Sequence, residues 1–256
     1  MLPFLVIEPG CDGVLAPAAA CAIGIMAKAP RSGRVKTRLV PPLTHEQASA
    51  LSRCFVLDVA TSIAAAARSG SPPIRGVAVY LPRGEERSFE GLLPGDFLLL
   101  PQRGADLGER LFQAATDLLA AGFHSVCLVN SDSPTLPSSL LLEAAVALAA
   151  PGERVVIGPA SDGGYYLIGL KRAHRRLFED VSWSSPAVLG QTLDRARELS
   201  LEVYLLPEWY DVDDAHSLRL LCRELFGRRN VAVAAGAATR ALLDEVLPRL
   251  ESFTVD

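Results

Sequence analysis

The segment Ser125–Pro137, SVCLVNSDSPTLP, contains an apolar run that ends abruptly at an acidic turn. The run Val126–Val129 is short and nearly continuous, which predicts a strand buried on both faces. The next five residues, Asn130–Pro134, are of types that form turns. Because doubly buried strands belong to parallel sheets covered by helices, the stretch predicts an α/β fold with Asp132 at a strand's carboxyl end.

The position of Asp132 has two interpretations. Ligands of parallel α/β sheets collect at the carboxyl ends of the strands, and a carboxylate there is suited to a divalent cation that also holds phosphate oxygens. The same residues also fit an ordinary strand-to-helix turn, with Ser138 or Ser139 capping the next helix. The local sequence leaves both interpretations open.

Outward from this strand, strand and helix patterns alternate along almost the whole chain. Further strands are predicted at 21–27, 74–81, 97–100, 154–158, 165–170 and 202–206. Helices are predicted after a Thr44–Gln47 capping box, after Asp106 with Glu109, from Ser138, and from Ser184-Ser185-Pro186, with two more towards the C-terminus. This alternation is typical of βαβ units. We therefore predict an α/β fold with a single doubly wound, mostly parallel sheet and helices on both faces.

The length of 256 residues, half of them hydrophobic, fits one large domain. We predict this domain over residues 21–227, an N-terminal extension over 1–20 and a C-terminal helical extension over 228–256. Within the first extension, residues 5–7 are apolar enough for an added edge strand. The apolar C-terminal helix is expected either to pack internally or to form a homodimer contact.

The composition argues against several classes of function. A net charge of -4 with interspersed signs predicts binding neither to nucleic acid nor to acidic membranes. Five cysteines without C-x-x-C spacing indicate reduced thiols in the cytoplasm. A signal peptide and a membrane span are not predicted, because the basic and long apolar segments are missing. The scattered histidines argue against a zinc centre, and the absence of Gly-x-Ser-x-Gly argues against a serine hydrolase.

The loop at residues 28–39 combines glycine with positive charge. Gly33 permits close backbone approach, and Lys28, Lys36 and Arg38 supply the cations that a di- or triphosphate requires. The loop lacks the Walker A pattern, and basic loop residues are often simply solvated.

Two further loops carry residues whose chemistry would complement the basic loop at residues 28–39. Asp211, Asp213 and Asp214 follow a predicted strand, as Asp132 does, and one or two such carboxylates with substrate phosphates suit Mg²⁺ or Mn²⁺. Asp213 or Asp214 as a helix cap is the alternative. The turn at residues 161–166 contains Asp162-Gly163-Gly164 and fits either ligand approach or an ordinary β-turn. Together, these loops suggest a metal–nucleotide site.

Six segments of the sequence resemble motifs of one known protein family and occur in the same order as in that family. The chain is similar to bacterial nucleotide-diphospho-sugar transferase-like proteins of the arsenosugar-biosynthesis or radical-SAM-associated type, with a GT-A fold, and more distantly to molybdenum cofactor and phospholactate guanylyltransferases. The matching segments are KAPRSGRVKTRL (Lys28–Leu39), ADLGER (Ala105–Arg110), SDSPTLP (Ser131–Pro137), GPASDGGYYLIGL (Gly158–Leu170), WSSPAVLGQTL (Trp183–Leu193) and DVDDAHSL (Asp211–Leu218).

The resemblance implies roles for individual residues. It makes Asp132 a metal ligand. It also puts Asp213 in the place of the acidic metal ligand found late in the sequence of related nucleotidyltransferases. That match is only partial, and Asp211 is the alternative ligand. Catalytic roles are implied for Asp132, Asp162 and Lys36. The nucleotide-binding candidates are Lys28, Gly33, Lys36, Thr37, Arg38 and Asp106, of which Asp106 equally fits a helix cap; the acceptor-binding candidates are Asp162, Gly163, Gly164 and Tyr165.

Three functions remain in competition. The first is a cytoplasmic, Mg²⁺- or Mn²⁺-dependent transferase that moves a sugar from a nucleotide-activated donor to a small acceptor. The second is nucleotidyl transfer, in which a phosphorylated acceptor attacks an NTP and pyrophosphate leaves. The third is a non-catalytic nucleotide-binding scaffold, in which the acidic turns are only caps and Asp132→Asn would leave metal-dependent affinity unchanged.

Overall fold

The apolar run at Val126–Val129 lies inside a strand near the middle of an eight-stranded sheet. A computed structural model describes residues 4–9, 19–227 and 235–250 of the chain. The strands are β1 (Leu5–Val6), β2 (Cys21–Lys28), β3 (Ile74–Leu81), β4 (Leu98–Pro101), β5 (Ser125–Asn130), β6 (Arg154–Pro159), β7 (Tyr165–Leu170) and β8 (Glu202–Leu205). The helices are α1 (His45–Ala67), α2 (Leu107–Ala120), α3 (Ser138–Ala149), α4 (Val188–Glu198), α5 (Ala215–Phe226) and α6 (Ala237–Val246).

The sheet has the strand order β1-β4-β3-β2-β5-β7-β6-β8. All neighbours are parallel except β7, which is antiparallel to both β5 and β6. This arrangement confirms the predicted α/β fold with a mostly parallel sheet. It also brings the loops after β2, β5, β6 and β8 to one edge, because the carboxyl ends of parallel strands meet there.

Helices cover the two faces of the sheet with separate apolar layers. Helices α1 and α3 pack on one face around residues such as Ile25, Val59 and Leu141, and α2 and α4 pack on the other around Leu118 and Leu128. A smaller cluster joins α5 and α6 to the first half of α1. The burial of β5 on both faces follows directly from these two layers.

Helix α1 is the described helix that is long and apolar enough to cross a membrane by length and composition. However, 56% of its most apolar window is buried within the structure, and the helix packs against β3, α3 and α6. The predicted capping box is confirmed at its start: Gln47 N donates to Thr44 Oγ1 (3.2 Å) and Thr44 N donates to Gln47 Oε1 (2.8 Å). Helix α1 is thus a core helix with a sequence-encoded N-terminus.

One predicted helix cap and one predicted helix start were wrong. Neither Ser138 nor Ser139 caps α3, since the N-cap position is Pro137 and Ser138 is already the first helical residue. Helix α4 begins at Val188 instead of at Ser184–Pro186. The reason is local: Ser184 adopts a positive φ of 63°, and the Ser185 hydroxyl accepts a hydrogen bond from Ala187 N (3.3 Å), which forms a turn before the helix.

The terminal segments add to the same sheet and helix layer. Strand β1 pairs with β4, as expected for an added edge strand, and α6 packs against α1. The remainder of the predicted extensions, including Cys11, lies outside the described residues. The domain boundaries stay a prediction.

Asp58 ties α6 to α1 and gives a stability prediction. Its buried carboxylate accepts hydrogen bonds from Ala238 N and Thr239 N (2.9 Å each), in the first turn of α6, where backbone N–H groups lack intrahelical partners. We expect Asp58→Ala to lower the free energy of unfolding by about 1–3 kcal/mol in urea denaturation. Asp244→Ala, at an exposed position of α6, is the control. Equal midpoints for the two variants would contradict this role.

Candidate functional site

Lys36 joins the loops that follow three different strands. Its ammonium group lies 2.8 Å from Asp132 Oδ1 and 2.9 Å from Asp213 Oδ1, and it donates a hydrogen bond to Val212 O (2.8 Å). The side chain is only 6% exposed, whereas Asp132 and Asp213 are 33% and 44% exposed. The predicted catalytic lysine and both predicted metal ligands are therefore one cluster, open to solvent on the side of the carboxylates.

The backbone and the charge of Lys36 are both unusual. Lys36 has φ 50° and ψ 35°, a left-handed conformation that costs a non-glycine residue about 1 kcal/mol or more. Burial by itself would lower the pKa of Lys36, but the charges of Asp132 and Asp213 outweigh burial and hold the pKa above its ordinary value. The two carboxylates therefore keep the buried ammonium group protonated. The backbone of Lys36 is strained in the position that allows these contacts.

A third carboxylate, Asp211, lies behind this cluster. It accepts hydrogen bonds from Asn130 Nδ2 (2.7 Å) and Ser133 Oγ (2.9 Å), and Val212 N donates to Asp132 O (2.9 Å). Burial, together with the charge of Asp132, raises the pKa of Asp211 to about 6. These contacts lock the loop after β8 onto the turn after β5, which fixes the separation of Asp132 and Asp213.

Basic side chains line a small cavity beside Lys36. This basic cavity has a volume of about 270 Å³, and its wall includes Asp132 and Asp213. The residues at the end of β2 and in the loop after it that line this cavity are Lys28, Arg34, Val35, Lys36, Thr37 and Arg38. Four of these six carry positive charge, so the cavity offers several cations next to two carboxylates.

A larger cavity of about 500 Å³, the inner cavity, adjoins the same carboxylates. Asp132, Asp211 and Asp213 line one part of it, and Asp162, Gly164 and Tyr165 line another; Met26, Leu107, Leu111, Trp183 and Ser184–Pro186 complete most of its wall. Asp162 Oδ1 accepts a hydrogen bond from Gly164 N (2.9 Å), which closes the turn between β6 and β7. Asp162, Gly164 and Tyr165 thus line the same cavity as the predicted metal ligands.

Not all predicted site residues come together. Gly33 occupies a turn with φ 71° and does not line the basic cavity, and Gly163 serves the turn instead of the cavity wall. Asp106 lines a different cavity and caps α2 by accepting a hydrogen bond from Glu109 N (2.8 Å). Asp214, the alternative cap considered for the late acidic loop, is indeed the N-cap of α5. Asp211 and Asp213 therefore do not cap α5.

Sequence reasoning missed the residues that support the site. Asn130 and Ser133 flank Asp132 in a stretch that was interpreted as turn chemistry, yet their side chains hold Asp211. Trp183 also lines the inner cavity. The sequence signal for this support is the run of polar residues directly after β5, which contains more polar side chains than a turn requires.

The donor set fits a divalent cation held jointly with a phosphate. Among the described residues, no group of three or more His, Cys, Asp or Glu side chains is arranged to hold a metal by itself. The oxygens of Asp132 and Asp213, however, converge on the single Nζ of Lys36 and are partly exposed. A site with one or two carboxylates, completed by water and substrate phosphates, is the usual arrangement for Mg²⁺.

Gly163 holds the turn in place and gives a second prediction. It has φ 89°, its carbonyl accepts a hydrogen bond from Leu189 N (2.9 Å), and a Cβ would lie 2.4 Å from Pro186 O. We expect Gly163→Ala to displace the wall at 184–186 and to lower stability by roughly 1–3 kcal/mol in thermal unfolding. Gly190→Ala, in α4 with open space around its Cβ, is the matched control and should be neutral or slightly stabilising. Similar melting temperatures for both variants would refute the proposed constraint.

Comparisons with known proteins agree with this architecture. The profile of a family described as "Uncharacterized protein conserved in bacteria (DUF2064)" matches residues 65–185. No curated protein matches the chain. A solved structure from Desulfovibrio desulfuricans G20, provisionally described as a nucleotide-diphospho-sugar transferase, is 30% identical over 94% of this chain and 100% of that chain, with a TM-score of 0.80.

Two more distant structures share the fold. A nucleotidyl transferase from Methanothermobacter thermautotroptrophicus is 18% identical over 84% of this chain and 100% of that one, with a TM-score of 0.50. The 4-diphosphocytidyl-2C-methyl-D-erythritol synthase from Anaerococcus prevotii DSM 20548 is 12% identical over 80% and 95%, again with a TM-score of 0.50. The identity and coverage of the D. desulfuricans structure decide the family. The chain belongs to the nucleotide-diphospho-sugar transferase-like family that this structure represents, and it is a nucleotide-using transferase.

Proposed function

We propose that the protein transfers a sugar from a nucleoside diphosphate sugar to the hydroxyl of a small acceptor, with Mg²⁺ or Mn²⁺ held at Asp132 and Asp213. The observation that carries this proposal is the cluster of Lys36 with these two carboxylates between the basic cavity and the inner cavity. A nucleotide sugar needs such an arrangement, because its diphosphate lies between a nucleoside and a sugar.

The basic cavity suits the diphosphate. Its charge is spread over several oxygens, and Lys28, Arg34, Lys36 and Arg38 line the cavity around them. Arg38 is 71% exposed and only 3.9 Å from Asp213, so this weak ion pair can be exchanged for a phosphate contact at little cost. Lys36 lines this cavity, and its cation would offset the negative charge that develops on a leaving diphosphate.

Lys36 also holds together the two carboxylates that are proposed to bind the metal ion. With its ammonium between Asp132 and Asp213, the two carboxylates stay close together without strong repulsion. When phosphate enters, Lys36 can turn from the carboxylates to the phosphate oxygens and free the carboxylates for the cation. The bound cation would neutralise charge on the diphosphate.

Asp162 faces the acceptor side. Its Oδ1 accepts a hydrogen bond from Gly164 N, Oδ2 accepts none among the described residues, and the residue lines the inner cavity. We assign Asp162 the role of orienting the acceptor hydroxyl and receiving its proton. In this reaction the bond between the anomeric carbon and the diphosphate oxygen breaks, the acceptor oxygen bonds to that carbon, and a nucleoside diphosphate leaves.

Nucleotidyl transfer is the second candidate, and one specific observation favours it. The four basic side chains at the end of β2 and in the loop after it can also match the larger negative charge of the triphosphate of an NTP. In that reaction the phosphorylated acceptor attacks the α-phosphate and pyrophosphate leaves. No general base is needed, so Asp162→Asn would impair acceptor binding more than turnover.

Product analysis separates the two reactions. The protein is incubated with Mn²⁺, a mixture of hydroxylated and phosphorylated acceptors, and either UDP- and GDP-sugars or UTP and GTP. Sugar transfer predicts release of a nucleoside diphosphate from a nucleotide sugar, and no acceptor-dependent pyrophosphate from an NTP. Acceptor-dependent pyrophosphate without sugar transfer would replace the first proposal by the second.

A further inference from the structure

The wall of the inner cavity carries two kinds of surface that an acceptor has to match. The volume of about 500 Å³ lies within the range of roughly 300–1,000 Å³ that is usual for pockets that bind small molecules. Carboxylates form one part of the wall, and apolar side chains, among them Leu107, Leu111 and Trp183, form another. A ligand that fills this cavity therefore needs hydroxyl groups for the carboxylates and an apolar face for the other side chains.

Trp183 is the aromatic side chain of this wall that its neighbours fix most clearly. Its indole packs on Gly108 at the start of α2, where an added Cβ would lie 2.5 Å from Nε1. It also meets the ring of Tyr165 edge-on, with the ring centroids 6.3 Å apart. The side chain is nevertheless only partly buried. The indole is thus held in place from two elements and still presents surface to a ligand.

The segment that carries Trp183 is attached to the turn that carries Asp162. In the first turn of α4, Leu189 N donates a hydrogen bond to Gly163 O (2.9 Å). Trp183 contacts Tyr165, which follows Asp162 by three residues. Trp183 and Asp162 both line the inner cavity. The aromatic surface and the residue assigned to the acceptor hydroxyl are therefore parts of one connected wall.

The charges of the inner cavity disfavour a phosphorylated acceptor. Four carboxylates line the cavity, and Arg38 is the one basic side chain among the described residues of its wall. Arg38 lies 3.9 Å from Asp213 and, in the proposed reaction, contacts the donor diphosphate. A phosphate group beside Asp162 would meet a carboxylate with no cation of the wall left to offset its charge. Unpaired like charges of this kind discriminate against the wrong ligand.

We propose that the acceptor is an uncharged carbohydrate that stacks one face of its ring on Trp183 and presents a hydroxyl to Asp162. The assignment rests on the proposed sugar transfer, in which Asp162 receives the proton of an acceptor hydroxyl. A carbohydrate ring combines the two surfaces that the wall requires. Its hydroxyl groups donate hydrogen bonds to carboxylates, and its C–H face packs on an aromatic ring.

Neutral and phosphorylated hexoses test the selection by charge. Glucose, galactose and mannose are compared with their 6-phosphates by ligand-observed NMR on the full chain, with saturating UDP or GDP and Mg²⁺. The nucleotide fills the basic cavity, so that a sugar phosphate cannot use the cations there, and Mg²⁺ avoids the paramagnetism of Mn²⁺. We expect at least one neutral hexose to bind, about fivefold or more tightly than its 6-phosphate. Equal or tighter binding of the 6-phosphates, or no binding of any neutral hexose, would overturn the proposal.

Substitutions at Trp183 and Gly108 test the stacking surface. Trp183→Ala should weaken binding of the neutral hexose by about threefold to tenfold, and Trp183→Phe should recover most of the loss because it restores an aromatic face. Gly108→Ala should resemble Trp183→Ala, because the new Cβ displaces the indole without removing it. Gly190→Ala, with open space around its Cβ, is the control and should keep the full affinity. Unchanged hexose affinity in Trp183→Ala, or in Gly108→Ala where Trp183→Ala does not fold, would overturn the assignment.

Calorimetry of the same samples with UDP or GDP and Mg²⁺ separates this outcome from that of the proposed function. Nucleotide affinity should stay within about twofold in these variants, because Trp183 and Gly108 do not line the basic cavity. Intact nucleotide binding without a preference for neutral hexoses defeats the acceptor assignment alone. Absence of nucleotide binding in the wild-type protein defeats both.

Discussion

Asp132→Asn is expected to lower the rate of sugar transfer by about two to three orders of magnitude, since it removes one charge from a preorganised site. The amide keeps the size of the side chain but cannot neutralise Lys36 or hold a divalent cation equally well. Nucleotide binding should lose its Mn²⁺-dependent part and keep the part that the basic loop supplies. Initial rates of nucleoside diphosphate release and calorimetry with Mn²⁺ and with EDTA measure the two effects.

The control for this variant is Asp96→Asn, which removes an exposed carboxylate that pairs with Arg75 away from the site. It should change neither the rate nor the affinity by more than twofold. If Asp132→Asn behaves like this control, the acidic turn is only structural and the scaffold interpretation replaces the enzymatic one at this residue.

Lys36→Met is expected to have opposite effects on the affinity for nucleotide and on the affinity for metal. Nucleotide affinity should fall by about 10- to 100-fold, because a charge-assisted hydrogen bond to phosphate is lost. Affinity for Mn²⁺ alone should rise, because the ammonium no longer occupies the space between Asp132 and Asp213. In EDTA the variant should be less stable by about 1–2 kcal/mol, a value reduced for the partial exposure of both carboxylates.

Thermal unfolding with and without Mn²⁺ checks this prediction together with calorimetry. The variant should gain more melting temperature from Mn²⁺ than the wild type gains. Lys171→Met is the matched control, because Lys171 binds the carbonyl oxygens of Ala150 and Gly152 and lies outside the basic and inner cavities. Undiminished nucleotide affinity, or no gain in Mn²⁺ affinity, would contradict the proposed role of Lys36.

Local patterns were sufficient to predict the fold. The apolar run of β5, the Thr44–Gln47 capping box and the Asp106 cap each encode one element through short-range physics, and each is confirmed. The start of α4 was not predictable in this way. It depends on the positive φ of Ser184 and on contacts of the turn at Gly163, which involve residues distant in sequence.

The proximity of the three candidate residues follows from the predicted sheet. Parallel strands bring their carboxyl ends together, so Lys36, Asp132 and Asp213 were expected at one edge. The ion pairs between them and the support of Asp211 by Asn130 are tertiary contacts across 81 or more positions. Single-sequence patterns do not encode such contacts.

Calorimetric titration of the wild-type protein with UTP, GTP, UDP-sugars and GDP-sugars, each in Mn²⁺ and in EDTA, tests whether the protein binds a nucleotide sugar through a metal ion. We expect at least one nucleotide sugar to bind in Mn²⁺ more tightly than its matching NTP and to lose at least tenfold in affinity in EDTA. Equal binding in Mn²⁺ and EDTA, or no binding of any of these nucleotides, would contradict a metal–nucleotide site at Lys36, Asp132 and Asp213.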